Sequence, residues 1–422
     1  MLRKCFLLLA IAAATSSFAQ TTIVLKAARL FDATTDGVTK NAVVVIEGNH
    51  IKSIGGVVPA NAQVIDLGDA TILPGFMDAH THVTFQMSND WYHDFYDSML
   101  RHVPEQAHYA ALYARRTLDA GFTTIRDLGS SDYLDVGLRN AINDGIAVGP
   151  RMIVAIHAIG STGGHSDNNP IVPSQTRQWG PLEGICNGPD ECRAAVRYQI
   201  KYGADVIKFM PSGGVLSLSD PVDAPELSQE EMNAIVEEAH HWERKVAAHC
   251  HGDIAAKMAI QAGVDSIEHG SFLKTDTLEL MKAKGVYLVP TLSPVEMEKG
   301  RKFPAPIQKK ADAASKAVNV MFRDALRIGV KIAFGTDAGT YDHGTNAKEF
   351  GYMVSRGMAP AAALRSATQV DAQLFGVDDR GTIEAGKLAD IVAVPGNPLD
   401  DIHATEHVFF VMKDGVVVKN AR

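Results

Sequence analysis

The stretch GADVIKFM, residues 203–210, decides the fold. Val206, Ile207, Phe209 and Met210 make a short apolar run of the kind that forms a strand buried on both faces. Helical patterns flank it, PDECRAAVRYQIKYG (189–203) before and SQEEMNAIVEEAHHWER (228–244) after. A doubly buried strand between two helices is the repeating unit of a parallel α/β sheet. Lys208 sits inside that strand, where an ammonium loses its hydration at a cost of several kcal/mol unless it is paired or neutralised.

The unit recurs in both directions. Strands are expected at TILPGFMDAHTHV (71–83), GFTTIRDLG (121–129), RMIVAIHAIG (151–160), ADVIKFM (204–210), KVAAHCHG (245–252), DSIEHG (265–270), GVYLVPTL (285–292) and KIAFGTDAG (331–339). Further helical patterns lie at 105–120 and 316–329. Eight strands with intervening helices predict a (β/α)8 barrel over residues 74–370. An open doubly wound sheet is disfavoured, because no glycine-rich phosphate loop follows the first strand. Alternating strand patterns at 21–32 and 41–56 are echoed at 381–399 and 407–420. The two chain ends, 20–73 and 371–422, are therefore expected to pair into a small β-sandwich domain.

The first residues, MLRKCFLLLAIAAATSSFAQ, have a basic start, a short apolar core and Ser17-Phe18-Ala19. They read as a secretory signal, residues 1–19, that is too short to span a bilayer. The mature protein is expected to be exported, periplasmic or secreted, with no membrane association. Cys186 and Cys192 lie close together in GICNGPDECR (184–193) and suit a disulfide in an oxidising compartment, whereas Cys250 lies in a strand as a small buried residue. The net charge is -9 and there is no basic cluster, which argues against a nucleic-acid partner.

Barrel enzymes carry their reactive side chains at the C-terminal strand ends. Here His80-Thr81-His82 ends strand one, Lys208 lies on strand four, His249-Cys250-His251 ends strand five, Glu268-His269 ends strand six and Thr336-Asp337 ends strand eight. Strand alternation points His80 and His82 the same way, so both can grip one metal ion. His249, His269 and Asp337 add ligands suited to zinc. His251 points along with His249; His249 is assigned to the metal and His251 to substrate contact, with the reverse left open. For Lys208 two explanations remain: a carbamate bridging two metals, or pairing with a buried carboxylate such as Glu268. Adjacent Arg126 and Asp127 read as a structural ion pair.

GFMDAHTH (75–82), the lysine of VIKFM (206–210), AAHCHG (247–252), SIEHG (266–270) and GTDAG (335–339) together resemble the metal-dependent amidohydrolase superfamily over nearly the whole mature chain. Within it, TTIRDLG (123–129) and STGGHSD (161–167) look most like the group of Xaa-Pro dipeptidases, carboxypeptidase-like peptidases and ochratoxin-hydrolysing amidohydrolases, close to the bacterial ochratoxin amide hydrolases. The resemblance implies two zinc ions per chain: one on His80, His82 and Asp337, one on His249 and His269, bridged by carbamylated Lys208. It implies hydrolysis by metal-activated hydroxide, with Asp337 as base and then acid.

Two divalent cations, less hydroxide, carbamate and Asp337, leave about +1, which favours a substrate carboxylate beside the cleaved amide. His165, His251, His343 and Tyr341 are the candidate substrate contacts, and a dipeptide or N-acyl amino acid is the expected substrate. A cyclic-amide hydrolase of imidazolonepropionase or hydantoinase type is the alternative activity, and a non-catalytic binding module is ranked below it. Relatives of this type are often homo-oligomers. The aromatic segments 84–104 and 168–184, with Trp91, Tyr92, Phe95 and Trp179, are expected to form a lid or an oligomer contact.

Overall fold

A computed structural model describes residues 22–167, 171, 173–218, 220–297 and 299–421. The signal segment lies outside the described residues. The chain is α/β, with parallel strands in the middle and one mixed sheet drawn from both ends.

The parallel strands are Phe76–Thr81, Phe122–Asp127, Arg151–Val154, Val206–Phe209, Lys245–Cys250, Ser266–His269, Tyr287–Val289 and Lys331–Ile332. In chain order they are strands one to eight. Strands one to three form one sheet, and strands four to eight form another. All four residues of Val206–Phe209 are buried, as the apolar run required. At one seam Asp337 N donates to His80 O and His82 N to Ala338 O, both at 2.7 Å. At the other, Ile159 N donates to Lys208 O and Met210 N to Ile159 O, both at 2.8 Å.

Helices connect the strands. Helix Gln229–His241 starts at a capping box: Ser228 Oγ accepts from Glu231 N, and the Glu231 carboxylate accepts from Ser228 N at 2.7 Å. Helix Ala305–Ile328 begins eleven residues earlier than its apolar pattern suggested, directly after Pro304. Segment 84–104 contributes helix Trp91–Leu100, in which Trp91 and Phe95 stack at 5.2 Å.

The expected first strand is divided. Ala70–Pro74 joins the end sheet and Phe76–Thr81 the parallel set. Gly75 makes the break, and a Cβ there would lie 2.2 Å from Thr123 Oγ1, so the two sheets approach too closely for any side chain. The end sheet has eight strands. Strand Thr22–Leu30 pairs with Thr39–Glu47 on one side and with Gln63–Asp66 and Ala70–Pro74 on the other. Ile391–Pro395 continues from Ala70–Pro74, followed by Phe410–Lys413 and Val416–Asn420. Its buried side chains, among them Leu25, Ile46, Ile72, Ile391 and Phe410, form a core separate from that of the parallel strands. Residues 371–422 begin with a helix, Asp371–Phe375, before their strands.

Cys186 and Cys192 are joined in a disulfide, and Cys250 is buried and free. Among the described residues no helix is long and apolar enough to cross a membrane. Thiol titration of the unreduced, denatured protein, prepared without residues 1–19 and so without Cys5, should find one free thiol. Replacing Cys186 and Cys192 together with serine should lower stability by about 2 kcal/mol, as expected for so short a loop, read as a fall in Tm.

Candidate metal centre and active site

Two clusters of potential ligands sit at the C-terminal ends of the parallel strands: His80, His82 and Asp337, and His249, His251 and His269. Within each, one ligand atom per residue lies within 4.8 Å of the others. Both clusters and Lys208 line a cavity of about 440 Å³. Its remaining wall is largely apolar, with Met210, Leu216, Val295, Phe303 and Val318.

Most of these imidazoles are held through Nδ1. His80 Nδ1 bonds Glu268 Oε2 at 2.9 Å and His82 Nδ1 donates to Gly129 O at 3.0 Å. His251 Nδ1 meets Ser271 Oγ at 2.9 Å, and His269 Nδ1 meets Thr291 Oγ1 at 2.6 Å. Fixing one ring nitrogen leaves Nε2 for a ligand and sets the ring's direction. Asp337 Oδ1 lies 3.3 Å from His82 Nε2 and 3.5 Å from His80 Nε2. His269 and Asp337 both adopt left-handed backbone, at φ 68° and 59°. Such conformations cost about 1–3 kcal/mol each and gather where a side chain must be aimed.

The electrostatics keep four of the five cluster imidazoles neutral. Burial lowers His82 too, but its hydrogen bond with Asp337 and the charges of Asp337 and Asp127 outweigh this and raise it. Burial and the charge of Lys208 push His80 down to about 4, against the pull of Glu268 and Asp337. Burial and the neighbouring histidines hold His249 and His269 well below the usual range and take His251 to about 3. Burial raises the Asp337 carboxyl, but its hydrogen bond with His82 and the pull of His80, His82 and Lys208 outweigh this and keep it ionised. His249 Nε2 is buried without a hydrogen-bond partner. Four imidazoles held neutral, a fifth paired with an ionised carboxylate, and an orphaned ring nitrogen are the donor set that divalent cations take.

Lys208 is almost fully buried, and its Nζ lies 3.3 Å from His80 Nε2. Burial lowers it to about 8, opposed by the more distant charges of Glu268 and Asp337. Glu268, the alternative partner, is engaged elsewhere: Oε1 accepts from Arg126 Nη2 at 2.8 Å and Oε2 bonds His80. The expected Arg126–Asp127 ion pair is not formed. Successive strand side chains point to opposite faces, so Arg126 reaches Glu268 and the Ala79 carbonyl, while Asp127 accepts from Val83 N.

The remaining predicted contacts divide. His165 lines the cavity and stacks on His249 at 4.6 Å, with Nδ1 3.0 Å from Ser217 Oγ. Its ring lies on Gly214, where a Cβ would come within 2.0 Å of His165 Cε1, so the loop after strand four needs glycine there. His251 lines the cavity as a full member of the second cluster. His343 and Tyr341 lie off this wall. His343 Nε2 donates to Phe85 O at 2.9 Å, and the buried Tyr341 hydroxyl donates to Thr336 O at 2.9 Å.

Sequence reasoning passed over Asp78. This buried carboxylate accepts from His80 N and Thr336 N at 3.1 Å, from Thr336 Oγ1 at 2.6 Å and from Asn346 Nδ2 at 2.8 Å. It ties strand one to the turn that carries Asp337. Its place two residues before His80, and four before His82, was the available signal.

Replacing Glu268 with alanine leaves Arg126 buried and unpaired. It should destabilise the protein by about 3–5 kcal/mol, seen as a fall in Tm, with Glu268→Gln milder.

Comparison with known proteins agrees with this geometry. The amidohydrolase family model matches residues 71–420. Ochratoxinase from Aspergillus niger is 33% identical over 411 residues, covering 90% of this chain and 83% of that protein. A crystal structure of a Xaa-Pro dipeptidase with bound methionine in the active site superposes with a TM-score of 0.89 at 40% identity, covering 95% of this chain and all (100%) of that one. The crystal structure of the A. niger ochratoxinase gives a TM-score of 0.84 at 30% identity, covering 95% and 96%. The chain belongs to the amidohydrolase family and is a hydrolase of amide C–N bonds.

Proposed function

We propose that this protein is a binuclear zinc amidohydrolase that cleaves the amide preceding a C-terminal amino acid, in dipeptides or N-acyl amino acids, ochratoxin A among them. The observation that carries this reading is the pair of ligand clusters meeting in one cavity with a buried lysine whose Nζ meets His80 Nε2 and forms no ion pair among the described residues. Relatives described as ochratoxinase and Xaa-Pro dipeptidase support the substrate class.

His80, His82 and Asp337 would hold one ion, and His249 and His269 the other, with His251 beside them. Carbamylated Lys208 would join the two; Glu268 is already committed to Arg126 and His80, which favours the carbamate over a lysine–glutamate pair. When bound, two such ions act as Lewis acids on the carbonyl and bring the pKa of water to about 7.

The chain's own groups do the rest. Asp337, kept ionised beside His82, takes a proton from the attacking water and returns it to the departing amine nitrogen. His165 and His251, with their Nδ1 atoms fixed by Ser217 and Ser271, face the substrate carboxylate. The apolar wall excludes water from the reacting centre.

The fold reading completes the picture. Hydrogen bonds at both seams of the parallel strands support closure into a (β/α)8 barrel spanning 74–370. The separate core of the end sheet supports a sandwich built from 20–73 and 371–422. We further propose export by the signal at residues 1–19 and assembly into a homo-oligomer.

Metal analysis of the purified enzyme should find about two zinc ions per chain, and chelation should abolish activity reversibly. Lys208→Ala should lower kcat at least ~100-fold and release metal. Full activity in that variant would overturn the reading. A panel of dipeptides, N-acyl amino acids including ochratoxin A, and cyclic imides separates this activity from cyclic-amide hydrolysis: turnover confined to cyclic imides would refute it.

A further inference from the structure

Three cavities meet around the ligand clusters, and one side chain borders all of them. The first, of about 440 Å³, contains both clusters. A second, of about 740 Å³, lies against helix Trp91–Leu100, with Arg101 and Tyr109 on its wall. A third, of about 450 Å³, lies between Tyr133, His157 and Trp179. Phe85 is the one described residue that lines all three.

Phe85 is held at its base. Its N–H donates to His82 O at 3.3 Å, and its carbonyl accepts from His343 Nε2 at 2.9 Å. His343 in turn stacks on Tyr113 at 4.9 Å. The Phe85 ring lies on the His82 imidazole with centroids 5.2 Å apart and planes 28° apart, yet the residue is 41% exposed. An aromatic ring with a fixed backbone and an open face acts as a wall between spaces. It fills little of the core, so its removal opens volume without unfolding the chain.

The two ends of the site differ. His165 stacks on His249 of one cluster, and Phe85 stacks on His82 of the other. If the substrate carboxylate lies at His165 and His251, as the function proposed above requires, the acyl side of the cleaved amide faces His82. We propose that Phe85 sets the acyl specificity: it confines the acyl group to the first cavity and bars bulky acyl groups from the two outer ones. His343, which clamps the Phe85 carbonyl, is then a positioning residue for that wall. The inference rests on the amidase reading for which substrate end is concerned.

The test compares kcat/KM for N-(pyrene-1-carbonyl)-phenylalanine, whose acyl group exceeds the bicyclic one of ochratoxin A, and N-acetyl-phenylalanine in the metal-loaded wild type, Phe85→Ala, Phe85→Leu and Phe85→Trp. The pyrenoyl-to-acetyl ratio should rise roughly tenfold or more in Phe85→Ala, rise less in Phe85→Leu and fall in Phe85→Trp. Ratios within about twofold of the wild type in all three would overturn the proposal. The ratio cancels any general loss from disturbing His82, and an unchanged Tm confirms folding. The ratio of dissociation constants for the same two compounds, measured by calorimetry with and without Phe85→Ala in an Asp337→Asn background, should shift in the same direction. If the wild type cleaves neither compound, the amidase reading fails, and the binding ratio still decides the role of Phe85.

Discussion

The Glu268 carboxylate is the contact on which the site depends. It is fully buried and holds two partners at once, Arg126 from strand two through one oxygen and His80 from strand one through the other. Burial raises a carboxyl, but the Arg126 guanidinium and the His80 bond overcome it and hold Glu268 at about 2. The charge therefore persists at any physiological pH. It fixes which nitrogen of His80 faces the cavity and sets the floor on which Lys208 lies. A buried charge of this kind is stable only while its partners stay in place, so three strands are locked in one mutual position. Asp78 makes a second buried junction of a different kind: it has no cationic partner among the described residues, burial raises its carboxyl to about 7, and it joins strand one to the turn after strand eight with four hydrogen bonds.

This arrangement explains how a cleft can hold many titratable groups without falling apart. His80, His249, His251 and His269 are neutral because they are buried together, and four of the five cluster rings are oriented by hydroxyl, carbonyl or carboxylate partners at Nδ1. The same atoms that give the site its shape also make it receptive to cations. Three of the ten described non-glycine residues with left-handed backbone lie there, His269, Asp337 and Thr291, which bonds His269.

Much of this was legible from the residues. Short apolar runs ending in histidine or aspartate located the strands and the face that carries the chemistry, and period-two alternation joined His80 to His82 and His249 to His251. What escaped were pairings between distant positions. Arg126 and Glu268 are 142 residues apart, and no local pattern links them. The adjacent Asp127 drew Arg126 into an apparent pair that alternation in fact forbids. His343 and Tyr341 were placed on the right loop, but side-chain direction on a loop follows from packing, and both turn toward backbone carbonyls. The division of the first strand at Gly75 was hidden because two consecutive strands without a polar turn read as one. The partners of Glu268, which bear on the role of Lys208, come from strands one and two and have no local signature either.

The end sheet has a consequence for how the molecule is made. Its earliest strand, Thr22–Leu30, lies in the interior of the sheet order, and its row of neighbours runs out through Ile391–Pro395 to Val416–Asn420. That strand leaves the ribosome before its partners, and its sheet is complete only when Val416–Asn420 has been made. Pairing across so long a span is slow, and the waiting strand exposes hydrogen-bonding edges in the meantime. A sheet assembled from both ends of the chain can close only after its C-terminal strands have been made, so its inner edges stay unpaired through most of synthesis.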